Sequence, residues 1–214
     1  MFTVTSFTFS PIAENTYVLN NETGDCIIID PGCYFAAERK ALADFIASNR
    51  LRPKYLLNTH CHLDHVFGNK FTHETWQLTP YIHPNEAVVL ENAGAAGLSW
   101  GMPFDNYTGT LHFLREGEEI RLGTDKLKVL FAPGHSPGHV CFYCADQHFL
   151  IGGDVLFKMS VGRTDLPGSN TETLLNSIRN VLFVLPDETV VYPGHGESTE
   201  IGFEKQHNPY VQQR

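Results

Sequence analysis

Four strand-like runs of this chain end in the same way, on a glycine or a short polar break followed by a histidine or an aspartate. Residues 127–131 run into Ala132-Pro133-Gly134-His135, residues 148–151 into Gly152-Gly153-Asp154, and residues 189–192 into Pro193-Gly194-His195. The fourth run, residues 55–58, delivers Thr59-His60-Cys61-His62-Leu63-Asp64-His65, with four potential metal ligands inside six residues. Glycine lets the backbone turn and approach closely where other residues resist, so a single side chain is aimed across the strand terminus. Such a chain is constrained to an α/β arrangement with its strand ends along one edge. There His60, His62, Asp64, His65, His135, Asp154 and His195 would converge.

The spacing within the densest stretch divides the work. Alternate residues of extended chain share a face, so His60 and His62 pinch one ion while Cys61 points the other way as a packed thiol. Asp64 and His65 come where the chain turns into a helix, and they leave in a direction that suits a second ion. His60, His62 and His135 are then expected to hold the first ion, and Asp64, His65 and His195 the second, with Asp154 bridging both. This nitrogen and oxygen set suits two divalent ions, with zinc expected and iron or manganese also accommodated. A water shared between them would reach a pKa of about 7. Asp64 is the catalytic candidate, placed to orient that water, and metal-assisted hydrolysis is the reaction class.

Composition narrows the partners. A net charge of −9 weighs against a nucleic-acid backbone or an anionic membrane surface, which leaves a small-molecule substrate drawn by local positive charge. The 214 residues are expected to form a single domain, 1–214, with 42% hydrophobic and 18% charged residues, as in an ordinary globular protein. Five cysteines, an odd number without a regular framework, point to reduced thiols in a cytoplasm. Cys141-x-x-Cys144 lies in a strand-like run with no second pair, so it reads as structural. The N-terminus lacks a basic start before an apolar core, and no apolar run reaches about 18 residues.

In chain order, residues 2–9, 16–19 and 26–29 read as an antiparallel meander ending in Asp30-Pro31-Gly32. Asp30 is either a turn cap or a residue serving the metal site. Residues 34–49 carry an amphipathic helix, and residues 66–69 a short helical turn ending on glycine. Residues 86–91 read as helical. Gly94, Gly97, Gly101, Pro103 and Gly109 then predict a flexible excursion, the kind of segment that borders a binding site. His73 and His83 are expected to be loop or surface residues. Residues 171–182 form a helix with a threonine N-cap.

With these residues in view, the chain resembles the metallo-β-lactamase-fold hydrolases, and within them the short, single-domain glyoxalase II (hydroxyacylglutathione hydrolase)-like branch. Asp30-Pro31-Gly32, residues 59–65, Gly134-His135-Ser136-Pro137-Gly138-His139, Gly153-Asp154 and Gly194-His195-Gly196 carry the resemblance over nearly the whole chain. It implies a four-layer αββα sandwich with a dinuclear site at one edge of two sheets. The implied substrate is a small thioester such as S-lactoylglutathione. It also implies that Asp30 steadies a ligand and that His139, which would be an eighth ligand, hydrogen-bonds rather than coordinates. True β-lactamases of this fold lack the bridging aspartate, which is present here as Asp154. Glyoxalase II proper adds a C-terminal helical domain, whereas this chain stops at Arg214. The family's lysine and tyrosine after the bridging aspartate are replaced by Arg163 and Asp165, so Arg163 either contacts an anionic substrate group or pairs within its own loop. A persulfide dioxygenase-like enzyme with one iron, and a lactone hydrolase, are the alternatives the same motifs allow.

Overall fold

The alternating apolar and hydroxyl residues at the N-terminus form β1 (Thr3–Phe9), which pairs antiparallel with β2 (Glu14–Asn20), and β2 pairs antiparallel with β3 (Asp25–Ile29). In the computed structural model, which describes residues 1–212, these strands open the first of two compact units. That unit takes in Met1–Leu114 with Arg121–Asp125, and the second takes in Arg115–Ile120 with the chain from Lys126 onward.

In the first unit, β4 (Arg52–Leu57), β5 (Pro80–Ile82) and β6 (His112–Phe113) complete a mixed six-stranded sheet in the order β1-β2-β3-β4-β5-β6, the last three pairings being parallel. Helix α1 (Ala36–Ser48) buries Leu42 and Ile46 against Val18, Cys26, Ile28 and Leu56. Its start is fixed by Glu38, whose carboxylate accepts from the backbone N–H groups of Ser10 at 2.8 Å and Phe35 at 2.9 Å. The parallel register Ile29↔Leu57 makes β3 and β4 end level, and the Asp30 N–H continues the ladder to Leu57 O at 3.0 Å. Asp30 is thereby set beside Asn58 and Thr59.

Two helical segments depart from the sequence reading. The turn expected at 66–69 begins earlier, as α2 (Leu63–Val66), and a separate α3 (Asn69–Trp76) follows Gly68. The helix read over 86–91 is present as α4 (Ala87–Ser99) but runs on through Gly94 and Gly97, where a flexible excursion was expected. Gly97 is there for space, because a Cβ on it would meet Met102 O at 2.7 Å and Phe104 Cδ1 at 2.9 Å.

A second mixed sheet runs in the order β14-β13-β10-β9-β8-β7, all of it in the second unit except the end of β7 and the first residue of β8. Its strands are β7 (Glu119–Leu122), β8 (Asp125–Phe131), β9 (Val140–Cys144), β10 (Phe149–Gly153), β13 (Val190–Pro193) and β14 (Thr199–Glu200). Pairings β8–β9, β9–β10 and β13–β14 are antiparallel, and β10–β13 is parallel. A two-stranded hairpin, β11 (Leu156–Phe157) and β12 (Ser160–Val161), follows β10. Helices α5 (Thr171–Ser177) and α6 (Ile201–His207) contribute Leu174 and Ile201 to a core with Leu150, Val191, Ile178 and Leu182. The cap of α5 is Asn170, not a threonine, with Oδ1 accepting from Thr173 N at 2.8 Å. The helix read over 171–182 ends its regular part at Ser177 and finishes in a wider π-type turn, Ile178–Leu182. The register Gly153↔Pro193 makes β10 and β13 end together, so Asp154 and Gly194-His195 leave from neighbouring positions. No helix among the described residues is long and apolar enough to cross a membrane.

Candidate metal centre

The first unit presents four of the expected site residues from one strand end. His62, with φ −62° and ψ 152°, is still extended and caps α2, while Asp64 and His65 lie inside that helix. His60 and His62 face each other edge to face with ring centroids 4.7 Å apart, and His60 and His65 lie 4.1 Å apart. Asp30, His60 and His65 bring one donor atom each within 4.8 Å of one another.

Asp30 organises this cluster. Its Oδ1 accepts from Thr59 N at 2.8 Å and its Oδ2 from the Thr59 hydroxyl at 2.6 Å, while His65 Nδ1 lies 3.1 Å from Oδ2. A carboxylate accepts, so His65 donates from Nδ1 and leaves its buried Nε2 facing Asp64 Oδ2, 3.8 Å away. The Thr59 hydroxyl, having given its hydrogen to Asp30, is left to accept from His60 Nδ1 at 3.1 Å, which sets the same tautomer on His60. Asn58 closes the turn from beneath, donating to His65 O at 2.9 Å.

Two carboxylates here were not singled out in the sequence. Glu14, at the start of β2, is fully buried with Oε2 accepting from the Thr16 hydroxyl at 3.0 Å and Oε1 4.0 Å from His65 Nδ1. Burial holds its carboxyl well above the ordinary range; His65 pulls it down, and Asp30 and Asp64 push it further up. A Cβ on Gly32 would fall 1.9 Å from Glu14 Oε2, so the Asp-Pro-Gly break needs its glycine to admit this side chain. Glu86, buried just ahead of α4, accepts from Cys61 N at 2.8 Å. The only available signal for Glu14 was the polar triplet Glu14-Asn15-Thr16 opening an otherwise apolar strand.

The second unit gathers the other three. His135 Nδ1 bonds Arg163 O at 2.8 Å, and its Nε2 lies 3.5 Å from Asp154 Oδ2. His195 Nε2 lies 3.6 Å from that same oxygen. Asp154 Oδ2 thus stands between two imidazole nitrogens, at separations longer than good hydrogen bonds. His139 Nε2 accepts from Asp154 N at 3.0 Å, fixing the backbone that carries the carboxylate. Gly162 is forced by the same crowding, since a Cβ there would lie 1.9 Å from Asp154 O.

Arg163 is exposed, and its guanidinium forms a two-pronged pair with Asp165, Nε to Oδ1 and Nη2 to Oδ2 both at 2.7 Å. That bond is the main reason the Asp165 carboxyl is lowered to about 2. It is the Arg163 backbone carbonyl that touches His135. His73 bonds Leu78 O at 2.8 Å through Nδ1, and His83 caps the turn Pro84–Glu86. The five cysteines are buried, with Cys141 Sγ 3.4 Å from Gly152 O. Burial raises Cys26 and Cys33 to about 12, far from a reactive thiolate.

Strand-end histidines and carboxylates on two mixed sheets flanked by helices define a class, an α/β protein with clustered metal-ligating side chains. The model of the metallo-beta-lactamase superfamily matches residues 10–195, and the chain belongs to that superfamily. A structure described as the B3 metallo-beta-lactamase BLEG-1 superposes with a TM-score of 0.91 at 35% identity, covering 99% of this chain and 100% of that one. TTHA1623 in a di-iron-bound form superposes with a TM-score of 0.86 at 38% identity, covering 96% and 99%. Hydroxyacylglutathione hydrolase GloC of Haemophilus influenzae is 34% identical over 204 residues, 92% of each chain. The fold is the metallo-β-lactamase fold, an α/β sandwich with two mixed sheets flanked by helices. The two clusters support a dinuclear metal cofactor and a metal-dependent hydrolase. These relatives carry names from more than one branch of the superfamily.

Proposed function

We propose that this single-domain chain is a dinuclear metal-dependent hydrolase of a small thioester such as S-lactoylglutathione, working in the cytoplasm. One ion would be held by His60, His62 and His135 and the other by Asp64, His65 and His195, with Asp154 available to both. The observation that carries the reading is Asp154 Oδ2 set between His135 Nε2 at 3.5 Å and His195 Nε2 at 3.6 Å, the disposition of a carboxylate that two ions can share.

The donor set fits such ions. His65 and His135 have Nδ1 engaged by Asp30 and by Arg163 O, and His60 Nδ1 meets Thr59, so each offers Nε2 with its ring orientation fixed. Nitrogen and oxygen donors suit zinc and equally iron or manganese, and TTHA1623 has been seen with two irons. When bound, two divalent ions supply the polarisation that lowers the pKa of water to about 7 and activates an acyl carbonyl. Asp64, nearly buried in the first turn of α2, accepts the hydrogen bond that orients the attacking water. Water oxygen bonds to the acyl carbon, the carbon–sulfur bond breaks, and the thiolate leaves and takes a proton. The thioester reading is supported by the likeness to GloC and by the residues shared with the glyoxalase II-like branch. Arg163, exposed beside the loop that holds His135, is the group offered to an anionic part of the substrate. Five cysteines, an odd number without a regular framework, suit a reducing compartment.

A second reading, hydrolysis of a β-lactam amide, is favoured by the 0.91 TM-score to BLEG-1. One experiment separates the readings: metal analysis of the purified protein, then turnover of S-lactoylglutathione, a chromogenic cephalosporin and a lactone by the same preparation. Two ions per chain with thioester turnover is the expected result. Two ions with β-lactam turnover alone would replace the thioester reading. About one iron with oxygen uptake on glutathione persulfide would replace the dinuclear reading with that of a dioxygenase.

A further inference from the structure

The residue between His60 and His62 is fastened at two points to the same element. The Cys61 side chain is buried with Val66, Ile82, Leu90 and Ala93, the last two belonging to α4. The Cys61 N–H donates to Glu86 Oε2 at 2.8 Å, and Glu86 is the last residue of the single turn Pro84–Glu86 that leads into α4. Glu86 is fully buried, a costly location for a carboxyl group that packing alone would fill better with an apolar side chain. One hydrogen it accepts is on the peptide joining His60 to Cys61.

We infer that Glu86 is a positioning residue for the His60–His62 pair, an inference that rests on the proposal that these two histidines hold one ion. A peptide unit is a rigid plane, so turning the Cys61 N–H also turns the backbone of His60 and of Cys61 on either side of it. The two imidazoles, with centroids 4.7 Å apart, then no longer leave the chain in directions that meet at a point. The thiol anchor sets the depth of the loop, and the Glu86 bond sets its rotation about the chain axis. Asp64 and His65 lie beyond it in α2, where Asp30 Oδ2 fixes His65. The effect of Glu86 therefore falls on one ion and not the other, which a purely structural role would not produce.

The test is zinc binding to the full chain, read as two affinities by chelator competition and as two absorption environments after cobalt substitution, for wild type, Glu86→Leu and Glu86→Gln. Glu86→Leu should weaken one site by about 10- to 100-fold and leave the other unchanged. Glu86→Gln, which keeps an amide oxygen to accept from Cys61, should restore the weakened site and its cobalt spectrum. If Glu86→Leu does not fold, Glu86→Asp, whose carboxylate is drawn back by one methylene, should show the same one-sided loss. Unchanged affinities in the folded variants would overturn the inference, as would equal weakening of both sites or failure of Gln to rescue. If wild type itself binds fewer than two ions, the dinuclear proposal fails first and the inference falls with it.

Discussion

His65 Nδ1 lies 3.1 Å from Asp30 Oδ2, and Asp30 reaches it from a left-handed backbone conformation, with φ 48°. Aspartate is one of the few non-glycine residues that tolerate this region, and here the unusual backbone turns the side chain back beneath the next strand end. The same carboxylate takes both the N–H and the hydroxyl of Thr59. One residue at the end of β3 thus fixes the loop that follows β4.

Replacing Asp30 with alanine should therefore damage binding and stability together. The buried Thr59 N–H loses its acceptor, at a cost of about 1–3 kcal/mol, and His65 loses the bond that holds its tautomer. Metal affinity should fall by about 10- to 100-fold, measured by chelator competition, with a lower midpoint in urea. Asp30→Asn should recover part of the stability, because its amide oxygen still accepts from Thr59, but less of the affinity. Equal recovery of both would show that charge on Asp30 is unimportant to His65.

Gly162→Ala tests the other cluster. The new Cβ would sit 1.9 Å from Asp154 O and 3.2 Å from His135 Cβ, both parts of the fixed frame, so neither can swing aside as a flexible side-chain tip would. Overpacking of this kind costs about 1–3 kcal/mol, and the displaced backbone is the one that carries Asp154. The expected outcome is loss of hydrolytic kcat out of proportion to the fall in melting midpoint. A variant of normal kcat would mean that Asp154 need not be placed closely.

How far the sequence disclosed these features depends on what carries the signal. Strands with a period of two leave a local imprint, so β1 to β4, β8 to β10 and β13 could be read before any coordinates. α4 could not be read in full, because glycine lowers helix propensity and Gly94 and Gly97 looked like breaks; a helix tolerates them when a neighbouring chain needs the room. Glu14 and Glu86 were illegible for a different reason. A buried carboxylate is explained only by the partner brought to it from elsewhere in the chain, His65 in one case and Cys61 in the other. Nothing in the local pattern names that partner. Asn170 was missed as a cap because the adjacent Thr171 is an equally good candidate by type.

The Arg163–Asp165 pair gives a pH-dependent observable away from the cluster. Asp165 is a carboxyl whose folded-state pKa is lowered, to about 2, chiefly by the bond from Arg163, so the pair is intact above the ordinary carboxylate range and is lost only as pH falls through about 2. The Asp165 carboxyl carbon, followed by NMR, should titrate near that value in wild type and move up towards 4 in Arg163→Leu. Both side chains are exposed, so the melting midpoint at neutral pH should barely change. If Arg163 meets an anionic part of the substrate, the same variant should raise KM with kcat nearly unchanged.

The two glycines inside α4 should respond to the same substitution with opposite signs. At Gly94 an added Cβ would find only Asn106 Cβ at 3.7 Å, an ordinary contact, so Gly94→Ala removes backbone freedom from the unfolded chain at no steric cost. It should stabilise by about 0.4–1 kcal/mol. At Gly97 the same methyl would press on Met102 O at 2.7 Å and on Phe104, whose ring is packed edge to face on Phe67 at 4.8 Å between centroids. Neither neighbour is a free side-chain tip, so the gain in helix propensity is outweighed and Gly97→Ala should destabilise by about 1–3 kcal/mol. Urea denaturation of the two variants decides it. Stabilisation at both positions would mean that the segment after α4 is free to retreat, and that Gly97 does not hold it close.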